Sequence, residues 1–238
     1  MNPFSKIKIR HLVHHVKTWN DSMLIRSFTS AVNTGILQQS PEVPNNFVFH
    51  GEFTDDMKKK FVDSMKIYED FISTEEEKSL LDEIEPYIKR LRYENSHWDN
   101  AISQYRETEK MKWNSSNRVI IDRVINLAFQ SGTAPLKYVH VLDLKATGVI
   151  KPHVDSVKFC GDTIAGISLL TDSIMRLRVD KERVNYVDIL LKRMSLYIMS
   201  STARYDYTHE ILSHKESIFR GEQIIKGRRI SVICRNEP

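Results

Sequence analysis

The chain has 238 residues, enough for one large domain or two small ones with a proper buried core, and its 41% hydrophobic and 28% charged residues are those of an ordinary globular protein. No run of about 18 apolar residues occurs, so no transmembrane helix is predicted. The two cysteines, Cys160 and Cys234, are too few for a disulfide framework and fit a reducing compartment. The net charge of +4 sits entirely in residues 1–28, where Lys6, Lys8, Arg10, Lys17 and Arg26 face one acid, Asp21; the rest of the chain balances 30 basic against 30 acidic residues and offers no overall charge for nucleic acid.

The first segment, "MNPFSKIKIRHLVHHVKTWNDSMLIRSFTS", is basic, nearly free of acids, and places Ile9, Leu12, Val13 and Val16 at helical spacing. Those are the marks of a mitochondrial transit peptide, cut near Phe28. A basic amphipathic surface helix is the alternative. Residues 29–46, with Pro41 and Pro44 and no apolar period, read as a linker. "FVFHGEF" at 47–53 and "MKIYEDFIS" at 65–73 are strand candidates. Ser73 with Glu76 forms a capping box that opens a helix over 74–91, in which Pro86 is a potential kink. A second helix is predicted near 117–129, with Val119, Ile120, Val124 and Leu127 on one face.

Beyond about residue 135 the pattern changes. "LKYVHVLDL", "TIAGISLL", "IMRLRV", "NYVDILL", "SLYIMS" and "RRISVICR" are short, β-branched and separated by turn residues. Strands so closely spaced suggest a sandwich or barrel. The expected architecture is α+β, a helical N-terminal layer packed on a C-terminal jelly roll over about 135–238, within one domain spanning 47–238.

The histidines carry the chemistry. In "KPHVDSVKFCG", His153 and Asp155 lie two apart, which on a strand points both the same way. "SHWDN" holds His97 and Asp99 at the same spacing, between two predicted helices. The residues downstream of each pair separate them. His209 in "YDYTHEIL", where Tyr205, Tyr207 and His209 alternate, comes 54 residues after Asp155, and Arg229 and Arg235 then share a strand face with Ser231 and Ile233. Two His and one carboxylate make the facial set of a non-haem iron site, and a guanidinium grips a carboxylate bidentately, as a dicarboxylate cosubstrate would need. After His97 the next histidine is His140, with no comparable arginine pair, so His97 reads as structural or as a pocket wall. "HEILSH" puts His209 and His214 five apart and fails the helical zinc-protease spacing. Tyr197 fits either the core or a hydrogen bond to the cosubstrate. Cys160 and Cys234 read as small core residues.

H-x-D, a distal His and R-x5-R in the last strand resemble the AlkB branch of the iron(II)/2-oxoglutarate dioxygenases. "HVLDL", "IKPHVDSVKFCG", "TIAGISLL", "ARYDYTHEIL" and "GRRISVICR", with "HWDNAI" and "RETEK" upstream, look like its mitochondrial subfamily numbered seven. The resemblance implies a double-stranded β-helix, iron on His153, Asp155 and His209, and 2-oxoglutarate on Arg229 and Arg235 with help from Tyr197 and Ser231. It further implies dioxygen as oxidant, a lid-free pocket, and a link to regulated necrosis and lipid metabolism; residence in the mitochondrial matrix and a monomer are expected. Repair enzymes of the branch carry Asn-x-Tyr in the strand before H-x-D; here Leu142 and Leu144 stand at those places, so cosubstrate contacts must be rearranged. Residues 97–129, where a base-gripping lid would sit, hold five basic and four acidic residues. Hydroxylation of a mitochondrial protein or another non-duplex substrate is therefore expected. RNA or DNA N-demethylation is the alternative, with duplex disfavoured, and a non-catalytic jelly-roll interaction protein is a third class.

Overall fold

The computed structural model describes residues 42–96, 100–179 and 184–238. The basic segment 1–28, most of the linker, and His97, Trp98 and Asp99 lie outside the described residues. Val43 packs on the core and the Asn46 carbonyl accepts from Leu190 N, so the chain is tied down just before its first strand.

In chain order the elements are β1 (Phe47–His50), α1 (Asp55–Ser64), β2 (Met65–Tyr68), α2 (Thr74–Ile88), β3 (Ile102–Lys110), α3 (Ser115–Ala128), β4 (Val139–His153), β5 (Ile164–Leu169), β6 (Ser173–Val179), β7 (Tyr186–Leu191), β8 (Leu196–Met199), α4 (Ser201–Tyr205), β9 (Tyr207–Ile211), β10 (Ile218–Phe219), β11 (Glu222–Gln223) and β12 (Arg229–Arg235). Ten strands form one antiparallel sheet in the order β1-β7-β6-β9-β4-β12-β5-β8-β2, with β3 on the free side of β4. The 15-residue β4 joins the two layers of the roll. Its first half pairs with β12 (Leu144 opposite Arg229, Leu142 opposite Ser231), and its far end pairs with β9. This is the α+β jelly roll that the strand pattern predicted.

Period-two alternation sorts each strand between two cores. On β12, Ile230, Val232 and Cys234 join Ala165, Ile167, Leu169, Leu196 and Ile198 against the helix residues Leu80, Ile84, Ile120, Ile121 and Val124. The opposite faces, including Leu142, Leu144, Tyr197 and Ile233, meet Leu177, Val187 and Ile189 of the other layer inside the roll. The helical support layer thus leaves the interior face of β12 free for polar residues.

The predicted capping box of α2 is present, Ser73 Oγ accepting from Glu76 N and Glu76 accepting from Ser73 N. Besides the short α4, β10 and β11, the elements α1 and β3 were not expected from the sequence. Thr54 caps α1 at Met57 N, but the helix shows few apolar residues beside its charges. In β3, Arg106 reaches the fully buried Asp143, which also takes Arg228 and the Tyr93 hydroxyl. Arg228 therefore faces away from the interior of the roll, unlike Arg229. Tyr205 ends α4, is 44% exposed and lies over the Arg204 guanidinium. It does not share the face of Tyr207 and His209, because a short helical turn precedes β9.

Candidate active site

His153 and His209 are register partners across β4 and β9, which puts their side chains on one face with ring centroids 4.3 Å apart. Asp155 comes two residues after His153, and its Oδ1 lies 3.3 Å from His153 Nε2 and 3.7 Å from His209 Nε2. Ligand atoms of the three residues all fall within 4.8 Å of one another. Two imidazole nitrogens and one carboxylate oxygen converging in this way could hold one divalent metal ion and leave coordination positions open. The second His of the set is prepared for that role: burial, with His153 beside it, pushes the His209 imidazole down to about 3, so the ring is neutral and offers a lone pair. His153 Nδ1 lies 2.9 Å from the Lys151 carbonyl. A carbonyl can only accept, so Nδ1 carries a hydrogen and donates to it, and Nε2 is the atom that faces Asp155 and that would ligate a metal.

Burial opposes the charge on Asp155, but the His153 contact and the Arg235 guanidinium outweigh it and hold the carboxyl well below its usual range. Arg235 donates from Nε (2.9 Å) and Nη2 (2.8 Å) to Asp155 Oδ2. Arg204, which was not expected at the site, is fully buried and donates from Nη2 to the Asp155 carbonyl at 2.8 Å and to Cys160 Sγ at 3.2 Å. The turn after β4 is thus pinned from behind.

Arg229 is 2% exposed and has no carboxylate partner among the described residues. Its Nη2 donates to Ser168 Oγ at 3.0 Å, its Nη1 donates to Ser231 Oγ, and its Nε has no partner. A buried guanidinium held only by hydroxyls is costly unless an anion joins it, and burial lowers its pKa accordingly. Such a group, with two oriented serines, could take a ligand carboxylate. Tyr197 of β8 lies over Gly166 of β5, where an added Cβ would come within 2.5 Å of the ring, so only glycine leaves room for the phenol.

His153, Asp155, His209, Tyr197, Arg229, Ser231 and Arg235 all line one cavity of about 560 Å³. The structure brings together every site residue named from the sequence. It adds Ser168, Arg204, His140 and Glu107. Ser168 had a signal, a lone hydroxyl in the apolar run "TIAGISLL"; the others had none, since they act across elements distant in sequence. Leu142 lines the cavity wall and Leu144 is buried inside the roll opposite Arg229, which leaves that stretch of β4 without a polar side chain toward the site. Tyr105 is buried in the core and Trp113 packs against the helices.

No protein-family model matches the chain. Curated relatives do. The chain is 54% identical over 168 residues to the bovine (Bos taurus) mitochondrial alpha-ketoglutarate-dependent dioxygenase alkB homolog 7, covering 71% of this chain and 76% of that protein. It is 51% identical over 176 residues to the mouse (Mus musculus) protein of the same name, covering 74% and 80%. Among solved structures, OsALKBH1 superimposes with a TM-score of 0.53 at 9% identity, over 72% of this chain and 97% of that one. A Trichoplax adhaerens prolyl hydroxylase, in complex with a peptide fragment of hypoxia inducible factor, does so with a TM-score of 0.52 at 11% identity, over 74% and 84%. At those identities the structural likeness speaks for the fold alone, and the fold shared is the jelly roll.

Proposed function

Since the chain belongs to the AlkB homolog 7 family of mitochondrial alpha-ketoglutarate-dependent dioxygenases, enzymes of iron(II), 2-oxoglutarate and dioxygen, we propose that His153, Asp155 and His209 hold the iron and that Arg229 grips the distal carboxylate of 2-oxoglutarate. The observation that carries this reading is the buried Arg229, without a counter-ion, in the same cavity as the two histidines and the aspartate. Bound together, iron(II), 2-oxoglutarate and dioxygen supply an oxidant that hydroxylates a C–H bond and yield succinate and carbon dioxide. The chain's own work is placement. Ser168 and Ser231 fix the Arg229 fork, Arg235 clamps Asp155, Tyr197 stands over the cosubstrate space, and the apolar walls Leu142, Ile164 and Ile233 exclude water.

The substrate belongs to the proposal. The cavity rim carries Phe159 (72% exposed), Tyr138 (53%) and Val154, with Glu107, Glu109 and Lys137 in mixed charge. An apolar rim without clustered cations suits a polypeptide or another non-duplex substrate better than a phosphodiester duplex. One observation favours N-demethylation of RNA as a second reading: Tyr138 and Phe159 are exposed aromatics on which a splayed base could stack. The mitochondrial names of both relatives and the basic segment 1–28 support import to the matrix, with residues 29–46 as linker and 47–238 as the monomeric catalytic domain; the link to necrosis and lipid metabolism rests on family likeness.

Succinate formation from 2-oxoglutarate with added iron(II) tests the reading. The wild type should turn over and His153→Ala should not. Equal rates would remove His153 from the metal site. Paired mass spectrometry of mitochondrial protein and formaldehyde release from methylated RNA, both dependent on His153, would separate the two substrate readings.

A further inference from the structure

His140, the first residue of "HVLDL", has no role predicted from the sequence, yet it lines the cavity midway along a chain of polar contacts. Glu107 Oε2 lies 2.8 Å from His140 Nε2, and Arg235 Nη1 lies 3.2 Å from His140 Nδ1. Arg235 in turn donates from Nε and Nη2 to Asp155 Oδ2. The sheet register explains why these groups meet. On β4, His140 stands opposite Glu109 of β3 on one side and Ile233 of β12 on the other. Glu107 and Arg235 are the next same-face residues along those neighbours, and diagonal partners at that offset are within reach of long side chains. His140 therefore bridges three strands.

The donors fix its tautomer. A guanidinium can only donate, so His140 Nδ1 must accept from Arg235, and Nε2 then carries the hydrogen and donates to Glu107. Arg235 spends three of its five N–H groups on Asp155 and His140, leaving two for a ligand. On β4, residues 140, 142 and 144 share one face, and two of them, Leu142 and Leu144, have no polar group to offer. We propose that His140, oriented by Glu107, is a positioning residue that holds the Arg235 fork in the plane needed both to clamp Asp155 and to receive the cosubstrate. It takes over, from two residues earlier on the same strand face, the polar duty that Leu142 and Leu144 cannot perform. The inference rests on the iron and 2-oxoglutarate reading of the cavity.

Three substitutions test it, read by calorimetric 2-oxoglutarate binding to the manganese(II)-loaded full-length protein and by the split between KM and kcat. The amide oxygen of His140→Asn sits where Nδ1 sits and can accept from Arg235. His140→Gln puts its amide at the Nε2 position instead, and His140→Leu has neither. Leu and Gln should weaken 2-oxoglutarate binding about ten-fold or more, the size of one lost hydrogen bond to a charged group, while Asn stays within about three-fold of wild type. The loss should fall mainly on the KM for 2-oxoglutarate. A merely structural role would not separate Asn from Gln. Unchanged affinity in His140→Leu, or an Asn variant as weak as Leu, would overturn the inference. Wild-type protein that bound no 2-oxoglutarate would overturn the underlying reading and this one with it, whereas binding lost in Arg229→Ala but kept in His140→Leu would overturn this one alone.

Discussion

Arg229 is held by two serine hydroxyls and nothing charged, an arrangement whose cost is recovered only when an anion enters. For ligand binding and for stability this has opposite consequences. Arg229→Ala should weaken 2-oxoglutarate binding by about 30-fold to several thousand-fold, the roughly 2–5 kcal/mol of a buried charge-assisted pair. Arg229→Met, which keeps the volume and removes the unpaired charge, should leave the ligand-free protein at least as thermally stable as wild type. Calorimetric titration reads the first and thermal unfolding without ligand the second; a large loss of stability in the Met variant would mean that Arg229 is a structural anchor. At this scale the sequence was informative where function needs a fixed spacing. Arg229 with Ser231 and Arg235 announce themselves because alternation puts them on one strand face; His153 with Asp155 announce themselves by their spacing, although β4 ends at His153 and Asp155 lies in the turn that follows. His140 and Arg204 could not be read, since their partners, Glu107 with Arg235 and Asp155 with Cys160, are brought near only by the register of the sheet and the turn after β4.

Elements place the site through pairing. β5 and β8 set Gly166 directly opposite Tyr197, and a Cβ at 166 would lie 2.5 to 2.7 Å from the Tyr197 Cε1, Cζ and Oη atoms. Gly166→Ala should therefore tilt the phenol away from the cosubstrate space, weaken 2-oxoglutarate binding, and cost about 1–3 kcal/mol as overpacking. Both effects should vanish when the same change is made in a Tyr197→Ala background, because the clash partner is then gone. Additive losses in the double variant would show that residue 166 acts through something other than Tyr197. Element assignment from sequence succeeded where periodicity is strong, as in β12 and in α2 with its capping box. It missed α1, whose apolar stripe is thin between lysines and aspartates, and β3, whose charged residues are paired by Asp143 and His140 only in the folded sheet. The length of β4 was also not expected: the strand candidate "LKYVHVLDL" ends at Leu144, whereas β4 runs on to His153, where it pairs with β9.

At the scale of the whole molecule, charge bears on which partners the cavity can meet. Outside residues 1–28 the chain balances 30 basic with 30 acidic residues, and the rim mixes Glu107 and Glu109 with Lys137 around exposed Phe159 and Tyr138. Duplex binding draws most of its affinity from phosphate contacts and counterion release, so it needs several cations on one face. The protein lacking residues 1–28 should therefore bind duplex DNA only weakly, and what binding exists should fade steeply as salt rises through the physiological range. The full-length chain should bind more tightly, because the five cations of the first segment add nonspecific attraction; comparing the two isolates that contribution. Fluorescence anisotropy across a salt series checks both. A truncated protein that held duplex at physiological salt, with affinity differing between sequences, would contradict the non-duplex reading, since it would require a basic face assembled by folding from residues dispersed in sequence. Weak duplex binding alongside tight binding of single-stranded RNA would move the balance toward the stacking surface of Tyr138 and Phe159, because aromatic stacking tolerates a neutral groove where phosphate recognition does not.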